Sequence, residues 1–146
     1  METSNISIRF LEEQELPGIL PFAQMLNPKL NEALLLSRLE IMRTQGYRCV
    51  GIFVEEELAG ITGLWSLCKL YVGKHLEPDN VIIHPQYRGK GLGKHLFEFI
   101  NQYAISEGYE ALELNCYVNN SEAHKFWMNE GYRILGFHFQ KRIHDR

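Results

Sequence analysis

The sequence predicts an α/β chain, a mixed sheet with helices on both faces. Three observations carry that expectation. Short β-branched or alternating apolar runs recur along the chain, and stretches with apolar residues at 3.6-residue spacing separate them. Near the middle, Val81–His84 reads as a buried strand and leads through a glycine-rich turn into an amphipathic helix and then a further buried run. That order describes a right-handed crossover joining two parallel strands.

Ile6, Ile8 and Phe10 alternate with polar neighbours and make a first strand. Glu12 to Leu26 carries helical spacing but contains Pro17 and Pro21, so a helix there is broken or starts late. Asn31 N-caps a second helix whose apolar stripe is Leu34, Leu35, Leu39 and Met42 and which Gly46 closes. Arg48–Val54 and Leu58–Leu67 read as strands joined by Glu55, Glu56 and Glu57. An acidic trio there can attract a cationic substrate, but a solvated hairpin turn explains it more simply. Between Lys69 and Asn80 the pattern blurs, because Gly73 and Pro78 interrupt strand-like Tyr71, Val72 and Leu76; an irregular run-in to the central strand is expected.

The helix after the turn places Leu92, Leu96, Phe99, Ile100, Tyr103 and Ala104 on one face, with Gly108 past its end. Ala111, Leu112, Leu114 and Cys116 form the next strand. Asn120 N-caps a helix over Ser121–Glu130 that Gly131 stops, and Tyr132–Leu135 and Phe137–Ile143 read as terminal strands. No repeat or low-complexity segment appears.

At 146 residues the chain is expected to form one domain, residues 1–146, with a proper core. A formal net charge of −3 gives no footprint for nucleic acid. Cys49, Cys68 and Cys116 are odd in number and lack a C-x-x-C pair, which suits reduced thiols in a cytoplasmic protein. The first residues lack the basic and apolar pattern of a signal peptide and no apolar run approaches the ~18 residues of a membrane span, so neither export nor membrane insertion is expected. His75, His95, His124, His138 and His144 lack metal-ligand spacing, so no metal is expected.

The turn itself carries the chemistry. Glycines at 89, 91 and 93 accept φ > 0 and let a ligand approach the backbone, while the following helix start leaves N–H groups without partners. Such a concavity, rimmed by Arg88 and Lys90, suits an anion and above all a pyrophosphate. A Walker loop does not fit, because Arg88 stands where its first Gly belongs and His95 where its Ser or Thr belongs. The dinucleotide fingerprint fails too, its third Gly falling on Lys94 or Leu96.

Arg88-x-x-Gly91-x-Gly93 after an apolar strand does resemble the Q/R-x-x-G-x-G/A acyl-CoA motif of the GNAT superfamily of N-acetyltransferases. A second motif of that family, N-x-x-A-x-x-x-Y-x-x-x-G-F, is similar to Asn120, Ala123, Trp127, Gly131 and Tyr132. The resemblance covers most of the chain and is strongest from Val81 to Tyr132. It implies a mixed, mostly antiparallel central sheet with one parallel pair splayed at the CoA site. It also implies direct transfer of an acetyl group from acetyl-CoA to a primary amine in a ternary complex, an activity of the EC 2.3.1 type.

By the same resemblance, backbone N–H groups around Ile82, Ile83 and His84 hold the pantetheine and polarise the thioester carbonyl. Amides of Arg88, Gly89, Lys90, Gly91, Leu92 and Gly93 hold the pyrophosphate. Asn120 either bonds the pantetheine arm or simply caps its helix. Trp127 replaces the Tyr that often protonates the leaving thiolate; indole is no general acid, and it reads instead as a wall against the cofactor. Tyr117 is a substitute donor candidate. Glu77, Asp79 and His84 are the candidate bases, and Glu113, alternating outward from Leu112 and Leu114, is expected to be exposed.

The acceptor that the resemblance implies is a small molecule or a protein amine. Homodimers through the terminal strands occur in the family, and the sequence leaves that state open. The alternative class is a CoA-binding sensor or interaction module that kept the pocket and lost turnover.

Overall fold

The computed structural model describes residues 5–144. The strands are β1 (Ile6–Phe10), β2 (Arg48–Val54), β3 (Glu57–Lys69), β4 (Gly73–Ile83) and β5 (Ala111–Leu112). They form one sheet in the order β1-β2-β3-β4-β5. The first three pairings are antiparallel and β4 with β5 is parallel. The helices are α1 (Leu20–Leu26), α2 (Glu32–Thr44), α3 (Leu92–Ser106) and α4 (Ser121–Asn129). The described chain divides into two compact units, one ending at Leu114 and the other beginning at Asn115. Among the described residues no helix is long and apolar enough to cross a membrane.

Within the first unit both sheet faces are covered. Cys49, Ile61 and Ile82 pack with Leu16, Ile19, Phe22, Leu35 and Leu39 from the segment around α1 and α2. The next residue before Cys49 projects to the opposite face. There Arg48 Nη1 donates to the Tyr103 hydroxyl of α3 at 2.9 Å, and Phe10 meets Phe99 and Tyr103 edge-on. The apolar stripe of α3 that the sequence predicts is buried at Leu92, Leu96, Ile100 and Ala104. Each of the two leucines and the isoleucine contributes about 1.5–3 kcal/mol by leaving water.

Local signals explain most boundaries. The two prolines divide the first helical stretch into a 3₁₀ segment, Glu13–Ile19, that contains Pro17, and the short α1, where Pro21 sits in the first turn. Asn31 Oδ1 accepts from Leu34 N–H at 2.8 Å and caps α2 as its sequence suggests. The acidic trio is a hairpin turn: Val54 pairs with Glu57, and Glu55 and Glu56 take φ of 49° and 71° between them.

Three expectations need correction. Lys69 to Asn80 is no irregular run-in, because β4 begins at Gly73 and pairs with β3 over most of its length. Gly73, at φ 76°, makes the turn that starts β4. Pro78 is tolerated because the last β4–β5 pairing is Leu76 with Leu112, so no ladder bond is asked of it on that side. The strand predicted to reach Cys116 stops at Leu112. Among the described residues no strand follows α4, and Ile134, Phe137 and Phe139 are exposed there. Alternation supplies an apolar edge, but a strand also needs a neighbour's backbone to pair with.

Candidate active site

The strand β4 changes register halfway along. Ile61 faces Ile82 and Gly63 faces Asp79, so Asn80 and Val81 together stand opposite Thr62 in a β-bulge. Asn80 sits at φ 55°, a conformation that Asn tolerates better than most residues. Its Oδ1 accepts from the buried Tyr47 hydroxyl at 3.2 Å. Burial pushes the Tyr47 phenol well above its usual range, which keeps that donor protonated. Gly63 is required beside it, since a Cβ there would lie 2.6 Å from Tyr47 Cζ.

The bulge decides which backbone groups face outward. His84 N–H donates to Ala59 C=O at 2.7 Å, so in this antiparallel ladder the groups of Ile82 and His84 turn toward β3. Val81 and Ile83 therefore direct their N–H and C=O groups to the other side. Ile83 C=O accepts from Arg88 Nε there at 2.9 Å. On that side β5 has already departed, its last bond being Glu113 N–H to Leu76 C=O at 2.9 Å. Of the predicted trio, Ile83 presents its amide to the open edge and Ile82 and His84 do not. Val81, which the sequence reading passed over, does.

Beyond Ile83 the chain makes a 3₁₀ turn, Pro85–Tyr87, that His84 caps by accepting Gln86 N–H on Nδ1 at 3.2 Å. That bond gives His84 a structural task and argues against it as the base. Tyr87 anchors the loop by donating to Glu57 Oε2 at 3.0 Å, and this bond raises the phenol's pKa. Gly89 and Gly91 follow at φ 77° and 76°, and Gly91 is the N-cap of α3 without any side-chain cap. The helix start leaves the N–H groups of Leu92, Gly93 and Lys94 without intrahelical acceptors. Its first turn carries no acidic residue, and Arg88, Lys90 and Lys94 are exposed around it. Arg88 N–H donates to Pro85 C=O at 3.3 Å, so among the predicted amides this one already has a partner.

Along the α1 and α2 face of β4 lie the carboxylates. Asp79 Oδ2 accepts from Trp65 Nε1 at 3.1 Å and its Oδ1 from Asn80 N–H at 2.9 Å, which fixes the group at the bulge. Glu77 Oε1 lies 3.1 Å from His75 Nε2 and 3.3 Å from Lys69 Nζ. Glu113 is not exposed as expected; its side chain is 19% accessible and accepts a hydrogen bond from the Tyr71 hydroxyl, which raises the Tyr71 pKa. It does alternate with Leu112 and Leu114, but the turn that carries Tyr71 reaches the face it points to.

The remaining candidates lie in the unit that begins at Asn115. Asn120 Oδ1 accepts Ala123 N–H at 3.2 Å and caps α4. Trp127 packs edge-on against Phe126 and Tyr132, at centroid distances of 4.9 and 5.2 Å. Tyr117 is exposed, and its carbonyl, rather than its hydroxyl, bonds His124 at 2.7 Å.

A mixed sheet whose one parallel pair parts after two residue pairs, followed by a left-handed glycine turn into a bare helix N-terminus, leaves an open strand edge beside unpaired helix amides. The chain belongs to the acetyltransferase (GNAT) family, whose model matches residues 11–132. Members are acyltransferases that use acetyl-CoA. Two relatives are an aminoalkylphosphonate N-acetyltransferase of Salmonella typhimurium, 30% identical over 67 residues, and a glucosamine 6-phosphate N-acetyltransferase of Arabidopsis thaliana, 33% identical over 89 residues. These matches span 46% and 57% of this chain, and 44% and 60% of the two relatives. In fold, the chain is similar to the crystal structure of a ribosomal-protein-alanine N-acetyltransferase from Brucella melitensis, at TM-score 0.81 and 17% identity, covering 96% of this chain and 100% of that one.

Proposed function

We propose that this chain is one cytoplasmic N-acetyltransferase domain, which moves the acetyl group of acetyl-CoA to a primary amine by direct attack in a ternary complex. The observation that carries this is the β4 edge, where the N–H groups of Val81 and Ile83 face outward beyond the end of β5, and which runs on to the N-terminus of α3. In this reading the pantetheine lies along that edge, and the diphosphate is held by the amides that open α3 and by the charges of Arg88 and Lys90.

Asp79 is the base. An amine with pKa near ~10.4 is mostly protonated at neutral pH and must lose a proton before it attacks. Asp79 is fixed by two donors, Trp65 Nε1 and Asn80 N–H, and each of its oxygens retains a free lone pair. Glu77 is engaged with His75 and Lys69, and His84 caps a turn, so neither competes well. The amine nitrogen forms the C–N bond, negative charge gathers on the carbonyl oxygen beside the outward amides of β4, and the C–S bond then breaks. The thiolate leaves and takes a proton; with a thiol pKa near ~8.5 it needs no strong acid. That fits a chain with Trp127 at the family's Tyr position and an exposed Tyr117.

The acceptors named for the two relatives join a primary amine to a phosphonate or phosphate, and an amine carrying an oxyanion is the acceptor class proposed here. Thiol release from acetyl-CoA is the test, run over aminoalkylphosphonates, amino sugar phosphates, polyamines and a lysine peptide. Turnover on an oxyanion-bearing amine supports the reading. Tight CoA binding with no turnover on any amine sinks it in favour of a CoA-binding module.

A further inference from the structure

On the same face as Asp79, nearer the start of β4, three donor atoms converge. His75 Nε2, a Glu77 carboxylate oxygen and a Glu113 carboxylate oxygen all lie within 4.8 Å of one another. His75 and Glu77 are two apart on β4, and Glu113 follows β5 directly after its last pairing, so the parallel register brings it alongside. We propose that His75, Glu77 and Glu113 form a binding site for a first-row divalent transition-metal ion. The site needs neither CoA nor acetyl transfer, so it stands or falls apart from the reading above.

The decisive observation is the buried imidazole. The His75 side chain is fully buried, and its Nδ1 lies 3.1 Å from Gly73 C=O, an atom that only accepts. That contact turns Nε2 toward the carboxylates. Nε2 lies 3.1 Å from Glu77 Oε1 and 3.9 Å from Glu113 Oε1, again acceptors. One ring nitrogen therefore stands between two carboxylates, and Lys69 Nζ lies 3.3 Å from the same Glu77 oxygen. The contact with Glu77 is within hydrogen-bond reach, and the one with Glu113 is beyond it.

A metal ion serves all three. Ligand bonds of about 2.0–2.2 Å put neighbouring donors about 3–3.5 Å apart; His75 and Glu77 already meet that at 3.1 Å, and Glu113, 3.9 Å from His75, has to close in. The imidazole anchored through its second nitrogen to a backbone carbonyl is the arrangement that orients a metal-bound His. Tyr71 supplies the same support to Glu113 by donating to it. Lys69 meets Glu77 from the solvent side with a half-exposed side chain, free to swing away as the ion enters. One imidazole with two carboxylates is a nitrogen and oxygen set that suits Zn²⁺, Co²⁺ or Mn²⁺ over Mg²⁺. The remaining coordination positions are open to a water or to an oxygen donor of a ligand.

Cobalt(II) is the probe, followed by visible absorption and calorimetry on the full chain. The proposal expects one saturable Co²⁺ per chain, displaced by Zn²⁺, and bound about tenfold or more weakly by Glu77→Gln and by Glu113→Gln. His138→Asn, a change outside the cluster, should bind as the wild type does. Because either Gln variant can lose stability, a second measurement uses the wild type alone. Mn²⁺ should broaden the NMR signals of residues 73–77 and 111–113 before any others. No saturable uptake, uptake unchanged in both Gln variants, or broadening centred elsewhere would each overturn the site.

Discussion

Gly63→Ala tests whether the bulge in β4 is held from behind. The added methyl falls against the Tyr47 ring, whose residue is only 4% exposed and has little room to retreat. Overpacking of this kind costs about 1–3 kcal/mol, and pushing Tyr47 off Asn80 forfeits a hydrogen bond worth about 0.5–1.5 kcal/mol, so about 1.5–4.5 kcal/mol in all. Urea unfolding followed by circular dichroism reads that loss. Tyr47→Leu withdraws the ring while keeping apolar bulk, and in that background Gly63→Ala should cost far less, a coupling that a double-mutant cycle reports. Acetyl transfer should fall together with stability, because Asp79 and the Val81 amide both take their places from the bulge. A Gly63→Ala protein within about 0.5 kcal/mol of wild type, or costs that simply add with Tyr47→Leu, would refute the argument.

The other expectations are narrower. Asp79→Asn should lower kcat by about 10²–10⁴-fold while leaving the KM for acetyl-CoA nearly unchanged, read by thiol release. Cys68 is exposed and should react with a thiol reagent in the native state, whereas fully buried Cys49 should react only on unfolding. Burial pushes the Cys49 thiol up to about 12, so its contribution to stability is whole below ~8.5 and is lost as pH climbs toward that value, visible as alkaline unfolding that Cys49→Ala softens. The Arg9 hydrogen bond holds the Glu15 carboxyl down to about 2. The advantage of wild type over Glu15→Gln should therefore be present above ~4.3 and vanish as pH falls through about 2, read by acid titration of circular dichroism.

Much of the fold was legible because its signals are local. Asn31 and Asn120 announce helix starts with side chains that bond three residues on, and the glycines at 89 and 91 announce a left-handed turn. The candidate site was legible only where it shares that property. The bulge at Asn80 was not, because it depends on Tyr47, 33 residues away, and on a glycine in a neighbouring strand. Nor could the sequence select the outward amides, since a one-residue bulge inverts which of Val81 and Ile82 faces the open edge. His75 and Glu113 look unrelated in sequence and meet only through the parallel register of β4 and β5. The terminal segment failed in the opposite sense: Phe137 and Phe139 alternate as a strand does, but alternation says nothing about whether a pairing partner is present.

Calorimetry of CoA with the wild type and with Gly91→Val is the most direct trial of the anion cradle. Gly91 sits at φ 76°, where a β-branched residue is strained whatever the space around it, so the turn that aims the α3 amides must change. Saturable binding by the wild type, lost in a Gly91→Val protein that is still folded, is the result predicted. Equal affinity in the two proteins would mean that the diphosphate rests elsewhere, and the proposed function would fall with it.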